Sequence, residues 1–246
     1  LALLAAGFST FALMYCVQPL LPTFSAEFGV SAATSSLALS LTTGLLAVAM
    51  LFASSLSEAL GRKTVMVTSL LVSAVLAMVS ALLPDWNGFL LVRALQGITI
   101  SGLPAVAMAY VSEEVHPKSG GYAMGLYISG SALGGMGGRV ITGLIADVAS
   151  WRVAVAAVGL LGLLAAVVFW RILPPSRHFT PRPFAPRSLV GGFSEHFRDA
   201  GLPWLFAEGF LLMGGLVTVY NYVGFRLLGP PFGLSQALAG MIFTVY

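Results

Sequence analysis

Seven long apolar runs are the feature that most constrains what this chain can fold into. An α-helix needs about 20 predominantly apolar residues to cross the roughly 30 Å hydrocarbon core of a bilayer. The runs cover residues 1–24, 33–56, 64–83, 88–112, 121–145, 153–173 and 203–228, and an eighth begins near residue 236. Charged residues make up 9% of the chain, against about 25% in soluble domains. The sequence therefore predicts an all-α polytopic membrane protein.

The loops between the first six runs are short, which predicts antiparallel neighbouring helices. One connection differs, because residues 174–201 contain five prolines and four arginines. Within it, Leu189, Phe193 and Phe197 recur every four residues and predict a helix with one apolar stripe at the membrane surface. The predicted division is a six-helix bundle over 1–173, a basic connector over 174–202 and the start of a second bundle over 203–246. Both ends of the sequence fall inside apolar runs, so we expect a piece of a longer protein.

The positive charges predict the orientation, because Lys and Arg collect in cytoplasmic loops. Two alternating sets of loops hold eight and two of these cations. The richer set contains Arg62, Lys63, Lys118, Arg171, Arg177, Arg182, Arg187 and Arg198, and the poorer set contains Arg152 and Arg226. We therefore expect the N-terminus and the connector on the cytoplasmic side of a bacterial inner membrane. The net charge of +3 is explained by these loops and does not indicate nucleic-acid binding.

The turn SSLSEALGRK, Ser54 to Lys63, carries the strongest local pattern. Glu58 precedes Arg62 by four residues, a spacing that favours an ion pair on a helix. Gly61 permits a sharp turn. On these grounds alone, the stretch is equally consistent with an ordinary positively charged turn and with a functional loop.

This turn resembles the signature loop of the major facilitator superfamily, Gly-x-x-x-Asp-Arg-x-Gly-Arg-Lys. The matching residues are Gly61, Arg62 and Lys63, while Glu58, Ser54 and Ala59 stand where the family has Asp, its first Gly and its first Arg. RALQG, Arg93 to Gly97, resembles the family's Arg-x-x-Gln-Gly signature. The stretches YCVQPLLP and RALQGITISGLPA are most similar to a branch of bacterial inner-membrane exporters.

The resemblance implies two six-helix bundles, of which this chain holds the first and the start of the second, about seven to eight of twelve helices. It also implies that Glu58, Gly61, Arg62 and Lys63 form a gating loop that closes the cytoplasmic side. Arg93 and its neighbour Gln96 would take part in coupling beside a central cavity. Since helices one, four and seven line that cavity in the family, further candidates are Tyr15, Gln18, Tyr220, Asn221 and Tyr222. The interruptions at Pro19, Pro22, Gly102 and Pro104 are typical of the same region.

Glycines punctuate the fifth apolar run. Gly125, Gly134, Gly138 and Gly143 fit the antiporter signature of the family, but Arg139 occupies its proline position and Thr142 one of its glycines. The resemblance at this point therefore does not imply the bend that proline would make, or drug/proton antiport. Gly130, Gly134, Gly138 and Thr142 recur every four residues and predict a close contact with another helix. That contact is either packing or a sliding surface between the two bundles.

Two arginines lie inside apolar runs, where a charge is costly and an ionisable residue is a functional candidate. Arg139 either extends towards Asp147 and the lipid headgroups or faces protein. Arg93 pairs with Asp85 or a backbone carbonyl, or faces the cavity. Both lie in the outer half of their helices, so together they favour a substrate with an anionic or strongly hydrogen-bonding group.

Glu208 is the carboxylate that lies furthest inside a predicted span, about 8–9 Å from the start of the seventh helix by helical rise. It is either paired with the connector arginines or a proton carrier. The predicted function is proton-coupled export of a small molecule by alternating access, with no cofactor beyond the proton gradient. The alternatives are an uptake symporter or uniporter for a small polar or anionic solute, and a non-transporting receptor. No catalytic constellation indicates an enzyme, and the expected partners are the substrate and the lipid bilayer, with the protein a monomer.

Overall fold

The computed structural model describes residues 1–176, 179 and 197–245, and within them every regular element is helical. The α-helices are α1 (Ala2–Tyr15), α2 (Leu21–Phe28), α3 (Ala32–Ser35), α4 (Leu37–Leu60), α5 (Arg62–Ser80), α6 (Trp86–Ile100), α7 (Gly102–Glu114), α8 (Pro117–Val148), α9 (Trp151–Ile172), α10 (Leu202–Leu228) and α11 (Gln236–Met241). Short 3₁₀ turns span Gln18–Leu20 and Ile242–Val245. The all-α prediction is confirmed.

Six of the predicted spans are long and apolar enough to cross a membrane within the described part of the chain. They are Ala2–Phe28, Ala32–Leu60, Arg62–Ser80, Trp86–Glu114, Trp151–Ile172 and Leu202–Leu228. α8 is a 32-residue helix at the place of the predicted fifth span, but it does not belong to this set. Its position as a helix of the bundle is shown by its packing against α1 and α9.

Helix breaks occur where the sequence predicts them. Pro19 falls in the 3₁₀ turn between α1 and α2, and Pro22 is the second residue of α2. Proline is tolerated at these places because it donates no backbone hydrogen bond. α6 ends at Ile100 and α7 begins at Gly102. Gly61 separates α4 from α5 with φ +96°, a conformation that side chains with a Cβ rarely adopt.

We call the end of the bundle that carries Gly29, Asp85 and Asp147 the outer end, and the end that carries Gly61 and Glu113 the inner end. At the outer end, Asp85 caps α6 by accepting from the backbone N–H of Gly88 at 2.6 Å. Ser150 caps α9 in the same way by accepting from Val153. The carboxylate of Asp85 therefore caps the helix that it precedes, α6.

The glycine stripe of α8 packs against α1, within the first bundle. A Cβ added at Gly130 or Gly134 would lie 2.2 Å from the carbonyl oxygen of Leu4 or Phe8. At Gly138 the nearest atom is the Cα of Ala12, at 2.6 Å. The predicted close helix contact is confirmed, and these three glycines serve packing inside one bundle.

The two remaining glycines of the predicted packing set behave differently. A Cβ added at Gly143 would lie 2.9 Å from the carbonyl oxygen of Gln236 on α11, so this glycine faces the second half of the chain. A Cβ at Gly125 would meet no atom within 4 Å. The idea of a sliding glycine surface between the halves is therefore wrong for the main stripe, because the stripe faces α1.

α10 and α11 form the described part of the second half. α10 has no buried residue, and residues 204–215, its inner half, are all exposed. Its outer half is partly buried, with Gly224 beside Pro22 of α2. Most of the predicted connector, including Leu189 and Phe193, lies outside the described residues, so the division into two bundles and a connector stays a prediction.

Candidate functional site

The residues predicted to form a gating loop include an ion-pair cluster at the inner end, centred on Arg62. Arg62 donates to both carboxylate oxygens of Glu113, from Nη2 at 2.8 Å and Nε at 3.2 Å. Its Nη1 donates to Ser57 Oγ at 2.5 Å. The predicted pair with Glu58 is confirmed at 3.8 Å, but Glu113 is the closer partner. Sequence reasoning missed Glu113 because it lies 51 positions away, at the end of α7.

The neighbouring Lys63 has a different contact. Its Nζ donates to the carbonyl oxygen of Leu173, at the end of α9. Tyr110 of α7 donates to the carbonyl oxygen of Pro174 at 2.9 Å. Lys63 therefore ties the end of α9 to the loop, and Tyr110 ties Pro174, the first residue of the predicted connector, to α7.

Arg93 lies in the centre of the first bundle with no exposed surface. Nε donates to the Ala38 carbonyl oxygen at 2.9 Å, and Nη2 to that of Met14 at 2.9 Å. Nη1 donates to Gln96 Oε1 at 2.5 Å and to the Leu13 carbonyl oxygen at 3.3 Å. Of the alternatives left open by the sequence, pairing with backbone carbonyls is the one observed. The guanidinium joins α1, α4 and α6.

Gln96 and Gly97 complete the Arg-x-x-Gln-Gly stretch. Gln96 Nε2 donates to the carbonyl oxygen of Ser73 on α5 at 3.1 Å. A Cβ at Gly97 would lie 2.3 Å from the carbonyl oxygen of Thr42 on α4, so only glycine permits this approach. Thr42 Oγ1 in turn donates to the Arg93 carbonyl oxygen at 3.0 Å. The stretch is therefore the point at which four helices of the bundle meet.

Arg139 belongs to a second polar cluster, which we call the outer junction and which also contains Tyr15, Gln18, Tyr220, Asn221 and Phe243. Arg139 is 2% exposed, and its Nε donates to Gln18 Oε1 at 2.6 Å. Gln18 Nε2 donates to Asn221 Oδ1 on α10 at 2.6 Å. Of the two alternatives left open by the sequence, the one in which Arg139 faces protein is observed, because its guanidinium is enclosed by protein and does not extend to Asp147 or to the headgroups.

Aromatic rings surround this guanidinium. The Cζ atom of Arg139 lies 4.1 Å from the ring centroid of Tyr15, 5.0 Å from that of Phe243 and 5.6 Å from that of Tyr220. Separations of up to about 6 Å give an attraction between the cation and the ring quadrupole. Sequence reasoning named Tyr15 but not Phe243, because Phe243 reaches this place only through the fold of the second half.

Glu208 lies outside the outer junction. It is exposed on the inner half of α10, thirteen residues before Asn221, which is about 20 Å along a helix. Tyr222 also stays outside, at 66% exposure. The structure therefore brings Tyr15, Gln18, Arg139, Tyr220 and Asn221 together, and it separates them from Glu208 and from the gating loop. Within the described residues, no group of His, Cys, Asp and Glu has the arrangement of a metal site.

Comparisons with known proteins agree with this architecture. Among solved structures, a bacterial homologue of the human lysosomal transporter Spinster, in an inward-facing and unoccupied conformation, superposes with a TM-score of 0.75 at 19% identity. The superposition covers 98% of this chain and 57% of the Spinster homologue. A D-xylose–proton symporter gives a TM-score of 0.65 at 16% identity over 99% of this chain and 63% of its own. At these identities the likeness shows the fold alone.

Sequence relatives are closer. YnfM, an inner membrane transport protein of Escherichia coli K12, is 51% identical over all 246 residues, which are 59% of its length. YybF, an MFS-type transporter of Bacillus subtilis 168, is 48% identical over 99% of this chain and 60% of its own. The chain thus spans about three fifths of the relatives it matches. The Major Facilitator Superfamily profile matches residues 3–246. The chain therefore belongs to the Major Facilitator Superfamily, in the branch that includes YnfM.

Proposed function

We propose that this chain forms the first bundle and the start of the second bundle of a secondary active transporter in a bacterial inner membrane, which exports a small molecule in exchange for protons. The observation that carries the proposal is the contrast between contacts within and between the halves. α1 and α8 touch through their backbones at three successive glycines, whereas the described part of the second half meets the first bundle at the outer end, through side chains of α10 and one glycine contact between Gly143 and α11. A rigid half that meets its partner at one end is suited to a rocking motion about a central site.

Membership of the superfamily supports the part of this proposal that makes the protein a secondary transporter, and it excludes an enzyme. The similarity to YnfM supports placement in the inner membrane. The inner half of α10 is exposed while its outer half is partly buried, and a solved structure of similar fold is inward-facing. Both features are in keeping with a form whose outer side is closed.

Proton coupling is assigned to Glu208. This carboxylate lies within the apolar stretch of α10 on a face that no described helix covers. A carboxylate at such a depth can bind a proton on one side of the membrane and release it on the other. Its position on the inner half of α10 would expose it to the cytoplasm when the outer side is closed.

The anionic or strongly hydrogen-bonding substrate group is assigned to Arg139 and not to Arg93. The donors of Arg93 are directed at three backbone carbonyls and Gln96 in the centre of the first bundle. Arg139 lies where the halves meet, beside side chains that a rocking motion must separate. Transport at the wild-type rate by an Arg139→Ala variant would contradict the assignment of Arg139 to the substrate.

The test uses the full-length protein in everted membrane vesicles with an acid-inside pH gradient. Candidate solutes are added singly, and we expect at least one to collapse the gradient in a protein-dependent way. Glu208→Gln should abolish the collapse. Asp199→Asn is the matched control, because Asp199 Oδ1 accepts from the backbone N–H groups of Gly201 and Leu202 and the side-chain oxygen of asparagine can accept the same bonds.

Three outcomes separate the alternatives. Solute uptake into the vesicles without gradient collapse would indicate a uniporter or an exchanger. Collapse that persists in Glu208→Gln would place the proton elsewhere. Absence of both transport and collapse for every solute would favour the non-transporting receptor.

A further inference from the structure

Two side-chain amides join the two halves of the molecule. Gln236 Nε2 of α11 donates to Thr23 Oγ1 of α2 at 2.6 Å, and the amide of Gln18 is the one that reaches α10. Its Oε1 accepts from Arg139 and its Nε2 donates to Asn221, each over 2.6 Å. Gln18 is 1% exposed, so water does not compete for these bonds. A buried amide that loses a hydrogen-bond partner is destabilised by the full cost of its desolvation. The free energy of Gln18 therefore depends on the position of α10.

Arg139 determines which way round the amide lies. Arginine has donors and no acceptor, so the carbonyl of Gln18 must face Arg139 and its NH₂ group must face Asn221. The guanidinium is itself held, because Nη1 donates to the Gly135 carbonyl oxygen at 2.9 Å and the ring of Tyr15 lies beneath it. Gln18 therefore keeps a donor aimed at α10.

Few contacts oppose the separation of α10 from the first bundle. None of its residues is buried, and its main packing is against α2 and the 3₁₀ turn that contains Gln18. Gly224 approaches Pro22 only at ordinary van der Waals distance. The bond between Gln18 and Asn221 must break if the outer ends of α1 and α10 move apart.

We infer that the Gln18–Asn221 hydrogen bond is an outer latch, which holds the outer side closed and whose polarity Arg139 fixes. The inference rests on the proposed alternating-access function and adds to it a residue pair that contributes to the balance between the closed and open outer side, beside the contacts of Gln236 with Asp147 and Thr23. Weakening this bond shifts the population towards the open form without altering the first bundle.

The test follows a reporter thiol introduced by Gly224→Cys in the full-length protein, purified in lipid nanodiscs and treated with N-ethylmaleimide. An added Cβ at position 224 would lie 3.5 Å from Pro22 Cγ, so α2 shields the thiol while the outer side is closed. Asn221→Leu and Gln18→Leu should each raise its labelling rate about threefold to tenfold. Asn221→Asp keeps the acceptor and should stay within about twofold of wild type.

Thr218→Val is the matched control on α10, because this hydroxyl bonds to Gly214 of its own helix and should leave the labelling unchanged. The double variant of Gln18 and Asn221 should label no faster than Gln18→Leu alone, since Gln18→Leu already removes the bond that the two residues share. Cys16, with no exposed surface in the first bundle, reports unfolding when mass spectrometry finds it labelled. If Cys16 becomes labelled in Asn221→Leu, that variant has unfolded. The same test is then made with Asn221→Ala and Gln18→Leu.

Unchanged labelling in both Asn221→Leu and Gln18→Leu, with Cys16 protected, would overturn the latch. So would multiplicative effects in the double variant, which would show that the two residues act independently. The labelling needs neither substrate nor proton gradient. If no solute collapses the pH gradient in vesicles, proton-coupled export is refuted. The latch is tested separately, by the thiol measurement.

Discussion

α8 makes two interfaces that differ in kind. Towards α1 it presents glycines, and the backbones touch so closely that no Cβ fits at Gly130 or Gly134. Towards the second half it presents Arg139 and Gly143, and the polar tie to α10 runs through the side chain of Gln18. The contact with α1 brings backbones together at three successive glycines, Gly130, Gly134 and Gly138, whereas the contact with the second half has one such approach, at Gly143, beside side-chain hydrogen bonds that can be exchanged. The difference indicates that the contact with α1 is the permanent interface and that the outer junction is able to open.

The inner cluster provides a further contrast. Arg62, Glu113, Glu58 and Ser57 all belong to the first half, so its described ion pairs act within one bundle. The outer junction joins the halves with neutral amides and with rings around one buried cation. Ion pairs thus brace the first bundle, and amide and aromatic contacts join it to the second half.

The largest expected effect comes from filling the permanent interface. In Gly134→Ala the new methyl group would lie 2.2 Å from the Phe8 carbonyl oxygen. Because this oxygen belongs to the backbone of α1, it can move away only if the helix shifts. Overpacking of this kind costs about 1–3 kcal/mol or more of the free energy of unfolding. Thermal unfolding of the purified full-length protein would show the loss. Gly125→Ala, on the same helix with open space around it, should cause none, and equal losses in both variants would contradict the distinction.

An intermediate effect is expected at the inner cluster. Glu113→Gln removes the charge that Arg62, itself 7% exposed, contacts through two hydrogen bonds. We expect a loss of about 1–3 kcal/mol in the free energy of unfolding. Glu58→Gln is the control, since that carboxylate lies at 3.8 Å and is 36% exposed, and such pairs contribute about 0–1 kcal/mol. A larger loss for Glu58→Gln in the same denaturation series would reverse the order of the two partners.

The smallest effect, with the opposite sign, is expected at Thr142, three residues after Arg139 on α8. Its Oγ1 is buried and has no hydrogen-bond partner among the described residues. Replacement by isosteric valine should therefore leave stability unchanged or raise it by up to about 1 kcal/mol. Thr10→Val is the comparison, because Thr10 Oγ1 donates to the Ala6 carbonyl oxygen at 2.9 Å. A loss at Thr142 as large as that at Thr10 would show that its hydroxyl has a partner in the folded protein.

The individual elements of the first bundle could be predicted from the sequence because their signals are local. Apolar run length located the spans, proline and glycine located the breaks at Pro19 and Gly61, and a four-residue spacing identified the Glu58–Arg62 pair. The four-residue repeat of glycine in α8 likewise predicted a close helix contact. Each of these features depends on residues within one or two helical turns.

The identity of each long-range partner was decided only by the tertiary structure. Nothing near Arg62 in the chain indicates Glu113, and nothing near Gly134 indicates that its neighbour is α1. Arg139 reaches Gln18, which lies 121 positions away, and Gln18 reaches Asn221 over 203 positions. Composition and periodicity specify which face of a helix is small, apolar or charged. They do not specify which helix meets that face, because that choice depends on the packing of all the helices together.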